Sequence, residues 1–267
     1  TPSLPAYTVT GGQVMTWRGL LPEVGRCSVP RQSLAYFGVE LETEPNSWTA
    51  HREGLSIFSD SPVNGAVYGK RDGSLDDSGV EWVTHPRTLA AWQSWRDFGQ
   101  FTEQLRRAGW RSWDAPSCGL HVHASRAAFD GSSHLARLVY FFRRNEEGLK
   151  QFAGRSSGWA RFDQLRRGSI SAKVKGETPD HYDALNLSGL ATVEFRIFKP
   201  SLRFGRVLAS VELCAALIEF TRPLTAIELA SANWATFTAY ARANSDTYPH
   251  CVAVLAGHRF NTSESEI

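Results

Sequence analysis

Tyr36-Phe-Gly-Val-Glu-Leu-Glu-Thr-Glu44 is the stretch whose reading decides the fold. It alternates with the period of a β-strand. Phe37, Val39 and Leu41 fall on one face, and Gly38, Glu40, Glu42 and Glu44 on the other. Strands disfavour Glu, so a row of carboxylates on one face needs a reason. A solvated face is the simplest one for Glu-x-Glu taken alone. A hard cation held between the carboxylates is the other. Later segments decide between them.

Three further segments repeat the pattern. Gly79-Val-Glu-Trp-Val-Thr-His-Pro86 alternates Val80, Trp82 and Thr84 against Glu81, Val83 and His85, and Pro86 ends it. Leu120-His-Val-His-Ala124 carries His121 and His123 on one face. Ala184–Leu187 and Ala191–Phe198 form a hairpin about Ser188-Gly189, with Val193, Phe195 and Ile197 opposed to Glu194, Arg196 and Phe198. A short strand at Val67 runs into an Asp72-Gly73 turn. Helical spacing predicts one long helix over 87–108 stopped by Gly109, another over 131–152, and more over 203–221, 225–243 and 248–258. Residues 45–65 hold many turn formers and little periodicity, which predicts a loop or a short strand pair. Residues 1–34 read as an irregular arm, 35–260 as a single domain and 261–267 as a polar tail. Residues 154–180 form a long basic stretch, either a solvated loop or a lid over nucleotide phosphates. The sum is an α+β architecture, a curved and mostly antiparallel sheet with helices packed on one face.

Helices on the apolar side would leave Glu40, Glu42, Glu81, His121, His123, Glu194 and Arg196 on one open side. Each has a bland alternative: a solvated strand face, a surface ion pair for Glu194–Arg196, a single contact for one histidine. Together they make an acidic cleft suited to divalent cations and a polyphosphate. Glu44, Lys70 and Arg71 read as solvated and Asp72 as a turn residue.

Composition narrows the class. The 267 residues are 42% hydrophobic and 21% charged, the balance of a globular protein. Lys+Arg 29 against Asp+Glu 27 gives no bulk attraction to nucleic acid. Cys27, Cys118, Cys214 and Cys251 are far apart and form no Cys-x-x-Cys pair, which points to a reducing, cytoplasmic setting. No apolar run is long enough to span a membrane.

Five segments in order resemble the amidoligase family of the glutamine synthetase and glutamate–cysteine ligase superfamily. They are Phe37–Glu42, Lys70–Leu75 with Gly79-Val-Glu81, Cys118–His123, Ala184–Leu187 and Val193–Phe198, covering about residues 36–200. The resemblance implies a glutamine synthetase-like catalytic fold and an ATP- and Mg²⁺-dependent carboxylate–amine ligase. Its substrates would be a small molecule, peptide or protein bearing a carboxylate, plus an amine. Homo-oligomerisation is left open. By position, Glu40, Glu42, Glu81, Glu194 and His123 would bind metal. His121, His123, Asn186, Arg155, Arg161 and Arg196 would contact nucleotide or substrate. Glu40, Glu81 and Arg196 would carry the chemistry. Residues 45–65 and 154–180 match nothing in the family pattern, and Thr84-His85-Pro86 stands where a Ser-Pro pair is expected. A His/carboxylate metal-dependent hydrolase or oxygenase, and an inactive ligase-fold binding protein, are the competing readings.

Overall fold

A computed structural model describes residues 35–73, 75, 78–155, 162, 170, 174, 183–258 and 260. The N-terminal arm, Arg161 with most of the basic stretch, and the polar tail lie outside the described residues.

The opening stretch is strand β1 (Tyr36–Pro45). The other strands are β2 (Val67–Lys70), β3 (Val80–Thr84), β4 (Arg87–Thr88), β5 (Trp110–Arg111), β6 (Leu120–Ser125), β7 (Leu185–Asn186) and β8 (Thr192–Phe198). They form one sheet in the order β2-β3-β1-β6-β8-β7, antiparallel throughout, with β4 and β5 pairing the two ends of β1. Register follows the hydrophobic alternation. Leu41 pairs with Trp82 and Leu120, while Val39 pairs with Val122, which pairs with Phe195. All six are buried. Each such side chain contributes about 1.5–3 kcal/mol on leaving water.

The helices are α1 (Trp48–Asp60), α2 (Leu89–Gln93), α3 (Arg96–Arg107), α4 (Ser132–Arg144), α5 (Glu146–Ala153), α6 (Phe204–Thr221), α7 (Ala226–Ser231), α8 (Trp234–Ala243) and α9 (Pro249–Leu255). Aromatic rings join them to the apolar face of the sheet. Phe58 of α1 and Phe101 of α3 meet Trp82 at 5.0 and 5.1 Å between ring centroids, and Phe142 of α4 meets Phe195 at 5.9 Å. The indole N–H groups buried here keep partners: Trp82 donates to Thr43 Oγ1, Trp92 to the Phe37 carbonyl and Trp110 to the Ala50 carbonyl, each at 2.8 Å.

Four local expectations are corrected. Residues 45–65 contain helix α1, not a loop or strand pair. Ser47 caps it by accepting from the Ala50 N–H, and Gly54 stands mid-helix because a Cβ there would lie 2.0 Å from Trp110 Nε1. The helix expected over 87–108 is instead β4, α2 and α3. Trp95 has non-helical φ and ψ of −83° and 70°, and its ring lies 3.5 Å from the Arg87 guanidinium carbon. The helix expected over 131–152 breaks at Asn145, whose side-chain amide donates to the Phe141 carbonyl at 2.8 Å. The helix expected over 225–243 is two helices, each opened by a capping box: Thr225 with Glu228, and Asn233 with Thr236.

His134 ties α4 to α6. Its Nδ1 accepts from the Asp130 N–H at 3.2 Å, and Nε2 lies 2.9 Å from the Ile218 carbonyl, to which it donates. This pattern requires the neutral ring, and burial lowers its pKa. The unfolded chain therefore binds the extra proton first, and stability falls as pH drops below the ordinary histidine value, about 6.5. Thermal melts at pH 7.5 and 5.5 should show a larger drop for wild type than for His134→Gln. Equal drops would refute the assignment.

Candidate active site

The register collects the predicted polar residues on one face. Glu42 pairs with Glu81, Glu40 with His121, Gly38 with His123, and His123 with Glu194. Lys70 pairs with Glu81, and Asn186 with Glu194. Glu42, Glu81, His121, Asn186 and Glu194 are each less than a tenth exposed. A merely solvated strand face would not bury its carboxylates this way.

Glu40 sits in the middle. Its Oε2 lies 3.4 Å from His121 Nδ1 and its Oε1 lies 3.4 Å from His123 Nε2. Both separations are at the outer edge of hydrogen-bond range. Glu194 Oε1 receives Arg196 Nη1 at 2.5 Å and stands 3.4 Å from His121 Nδ1, while its Oε2 accepts from Asn186 Nδ2 at 2.9 Å. Asn186 Oδ1 in turn accepts the Ser188 N–H at 2.9 Å. Both ends of the Asn186 amide are thus engaged in holding Glu194 and the hairpin.

Protonation follows from the crowding. Burial works against the Glu40 carboxylate, but hydrogen bonds and charge from His121 and His123 hold its pKa below the ordinary value. Burial likewise opposes ionised Glu194, and the charges of His123, His121 and Arg196 outweigh it. Burial disfavours the His123 cation, yet Glu40 and Glu194 push its pKa up. Glu42 differs: burial raises its pKa despite His121 and a hydrogen bond from Gly119.

Among the described residues three donor sets are close enough to hold a cation, each with its ligand atoms within 4.8 Å of one another. Glu42, Asp72 and Glu81 offer oxygen alone, which suits Mg²⁺. Glu40, Glu81 and His121, and Glu40, His123 and Glu194, add an imidazole, which Mn²⁺, Fe²⁺ or Zn²⁺ accept more readily.

Arg196 Nε is buried without a hydrogen-bond partner among the described residues, a donor available to an anion. Arg155 reaches the same place from the end of α5. A Cβ on Gly119 would lie 2.5 Å from Arg155 Nη1, 2.9 Å from His121 Nε2 and 3.1 Å from Glu42 Oε2. Glycine here lets the guanidinium, imidazole and carboxylate converge. Gly119→Ala is expected to displace these three side-chain ends rather than the backbone. It should weaken divalent-cation binding about tenfold, as loss of an orienting contact does, with little change in melting temperature. Calorimetric titration with Mn²⁺ checks this, and unchanged affinity would count against the convergence.

Sequence reasoning missed two participants, Lys70 and Asp72, and the burial of one neighbour, Glu44. Lys70, read as solvated, places Nζ 2.7 Å from Glu81 Oε2 and 4.0 Å from Glu40 Oε1. The shorter contact is an ion pair outside hydrogen-bond geometry, since that oxygen lacks a hydrogen-bond partner. Asp72, read as a turn residue, joins Glu42 and Glu81. Glu44, read as solvated, is 7% exposed and accepts from the Ser117 hydroxyl. The opposed positions of Lys70 and Glu81 across the Asp72-Gly73 turn were the available signal. Phe198 leaves the polar face, because the β6–β8 register shifts between Leu120 and Val122 and sets Phe198 opposite Leu120 on the core side.

No family model matches the chain, and no curated protein matches it at a significant level.

Proposed function

We propose that this chain is an ATP- and Mg²⁺-dependent carboxylate–amine ligase of the amidoligase type, with its antiparallel sheet forming a glutamine synthetase-like floor. The observation that carries the reading is the gathering of Glu40 with the buried Glu42, Glu81 and Glu194 on one sheet face, together with Arg155 and Arg196. Glu42, Asp72 and Glu81 would hold Mg²⁺, with Glu40, Glu194 and His123 as a second set. Bound Mg²⁺ would neutralise and align the nucleotide phosphates.

In the proposed reaction a substrate carboxylate oxygen attacks the γ-phosphorus of ATP, and the bond to ADP breaks. The amine then adds to the acyl-phosphate carbon, loses a proton and expels inorganic phosphate. Arg196 would lend its unmatched Nε–H to charge developing on the moving phosphoryl group. Asn186 keeps Glu194 in place. The acid and the amine would meet on the side of the sheet that carries these groups, away from the helices.

Thermal melts with and without Mg²⁺ and ATP test the reading. ATP and Mg²⁺ together should raise the melting temperature by several degrees, about 3 kcal/mol at a hundred times Kd, and ATP with EDTA should not. No response to the pair would sink it.

The two imidazole-containing donor sets favour a second reading, a metal-dependent hydrolase or oxygenase. One equivalent of tightly bound zinc or iron in purified protein, with no nucleotide response, would select it.

A further inference from the structure

A second concave site lies where several helix ends gather, and it shares no lining residue with the acidic cluster. It is a cavity of about 830 Å³ between the ends of α3, α5 and α9, the segment after β5 and the first turn of α6. That volume is in the usual range for a small-molecule pocket.

Its charge is lopsided. Arg106, Arg111, Arg203 and Arg206 line it, and Asp114 is the sole acid among its described lining residues. Arg106 is paired with Glu103 at 2.8 Å, and Arg206 donates to the Phe152 carbonyl. The side chains of Arg111 and Arg203 form no ion pair or hydrogen bond among the described residues. Gathered cations without counter-ions repel one another. Arg203 is also the N-cap residue of the 18-residue helix α6, which has no side-chain cap, so the positive end of that helix adds to the positive charge near the cavity.

An independent observation points the same way. Ser112 lines the cavity and is 2% exposed, and its buried hydroxyl has no hydrogen-bond partner among the described residues. A buried hydroxyl left unpaired is costly unless a ligand completes it. Beside it Trp113 is 44% exposed, and Lys199 Nζ lies 3.9 Å from its ring centroid, which adds a further cation at the rim.

We propose that this cavity binds a phosphate or carboxylate carried on a planar body, without metal and apart from the acidic cluster. The anion meets Arg111, Arg203 and the first turn of α6, the Ser112 hydroxyl donates to it, and the planar part lies against Trp113. The inference stands whether or not the ligase reading does.

Isothermal titration in EDTA tests it with three probes: AMP, phthalate, and adenosine as the uncharged body. AMP or phthalate should bind with a submillimolar Kd, and the tighter of the two identifies the anion as phosphate or carboxylate. Adenosine should bind at least tenfold more weakly than AMP. Arg203→Gln and Arg111→Gln should each weaken the anion at least tenfold while keeping the wild-type melting temperature. Ser112→Ala should cost a few-fold, and Glu42→Gln, a change in the separate acidic cluster, should leave the affinity for the anion in this cavity at its wild-type value. The proposal is overturned if neither anion binds at millimolar concentration, if adenosine binds as well as AMP, or if Glu42→Gln removes binding that Arg203→Gln leaves intact.

Discussion

Glu40→Gln is expected to give a folded protein whose affinity for divalent cations is more than about a hundredfold below that of wild type. Glu40 belongs to two of the three donor sets and stands between His121 and His123. A carboxamide offers one neutral oxygen where the carboxylate offers two charged ones, and its NH₂ would face an imidazole. The fold should survive, because the side chain keeps its volume and the Leu41–Trp82–Leu120 row lies on the other face. Glu44→Gln is the matched control. Glu44 is another β1 carboxylate, more buried than Glu40, but it is held by Ser117 and belongs to none of the donor sets. Its replacement should leave affinity within about threefold, the scale of an indirect effect well below a lost orienting contact. Titration of both variants with Mn²⁺ and Mg²⁺ decides the matter. Equal losses would remove the special place given to Glu40.

Lys70→Met should lower the melting temperature in EDTA by about 3–6 °C, and Mg²⁺ should restore it. Glu81 is 1% exposed and directly opposite Glu42, so two carboxylates adjoin in a poorly hydrated place. The Lys70 ammonium, 2.7 Å from Glu81, offsets them. Removing one partner of a buried pair costs about 3–5 kcal/mol, but the Lys70 side chain is 43% exposed, and solvent screening brings this to about 1–2 kcal/mol. A divalent cation in the Glu42–Asp72–Glu81 set would supply the missing charge. It would also no longer compete with the ammonium, so the variant should bind Mg²⁺ more tightly than wild type. A deficit that persists in saturating Mg²⁺ would mean that Lys70 acts through packing instead.

Much of the sheet was legible because alternation is a local signal and one face is buried. Val39, Leu41, Trp82, Val122 and Phe195 announce the core side, and that alone places Glu40, Glu42, Glu81, His121, His123 and Glu194 together opposite it. What could not be read depends on distant partners. Helix α1 has a glycine at its centre that only the Trp110 indole explains. The break before α3 follows from Trp92 reaching the Phe37 carbonyl and Trp95 stacking under Arg87. Lys70 looked solvated, and Asp72 just beyond it looked like a turn residue, because the strand that ends at Lys70 has four residues, too few to show a face. The Thr225 and Asn233 capping boxes, by contrast, were written in the sequence and mark a break that apolar spacing alone passes over.

The central position of β1 has a consequence for dynamics. Four strands pair with it, and its partners are 40 or more residues away in the chain along most of its length. No small opening can free its middle, so the Leu41 amide should exchange with solvent only when the whole domain unfolds. Any cation bound at the neighbouring carboxylates would then slow that exchange by the full factor by which it stabilises the native state. The proton on one backbone nitrogen becomes a gauge of occupancy for the cluster beside it.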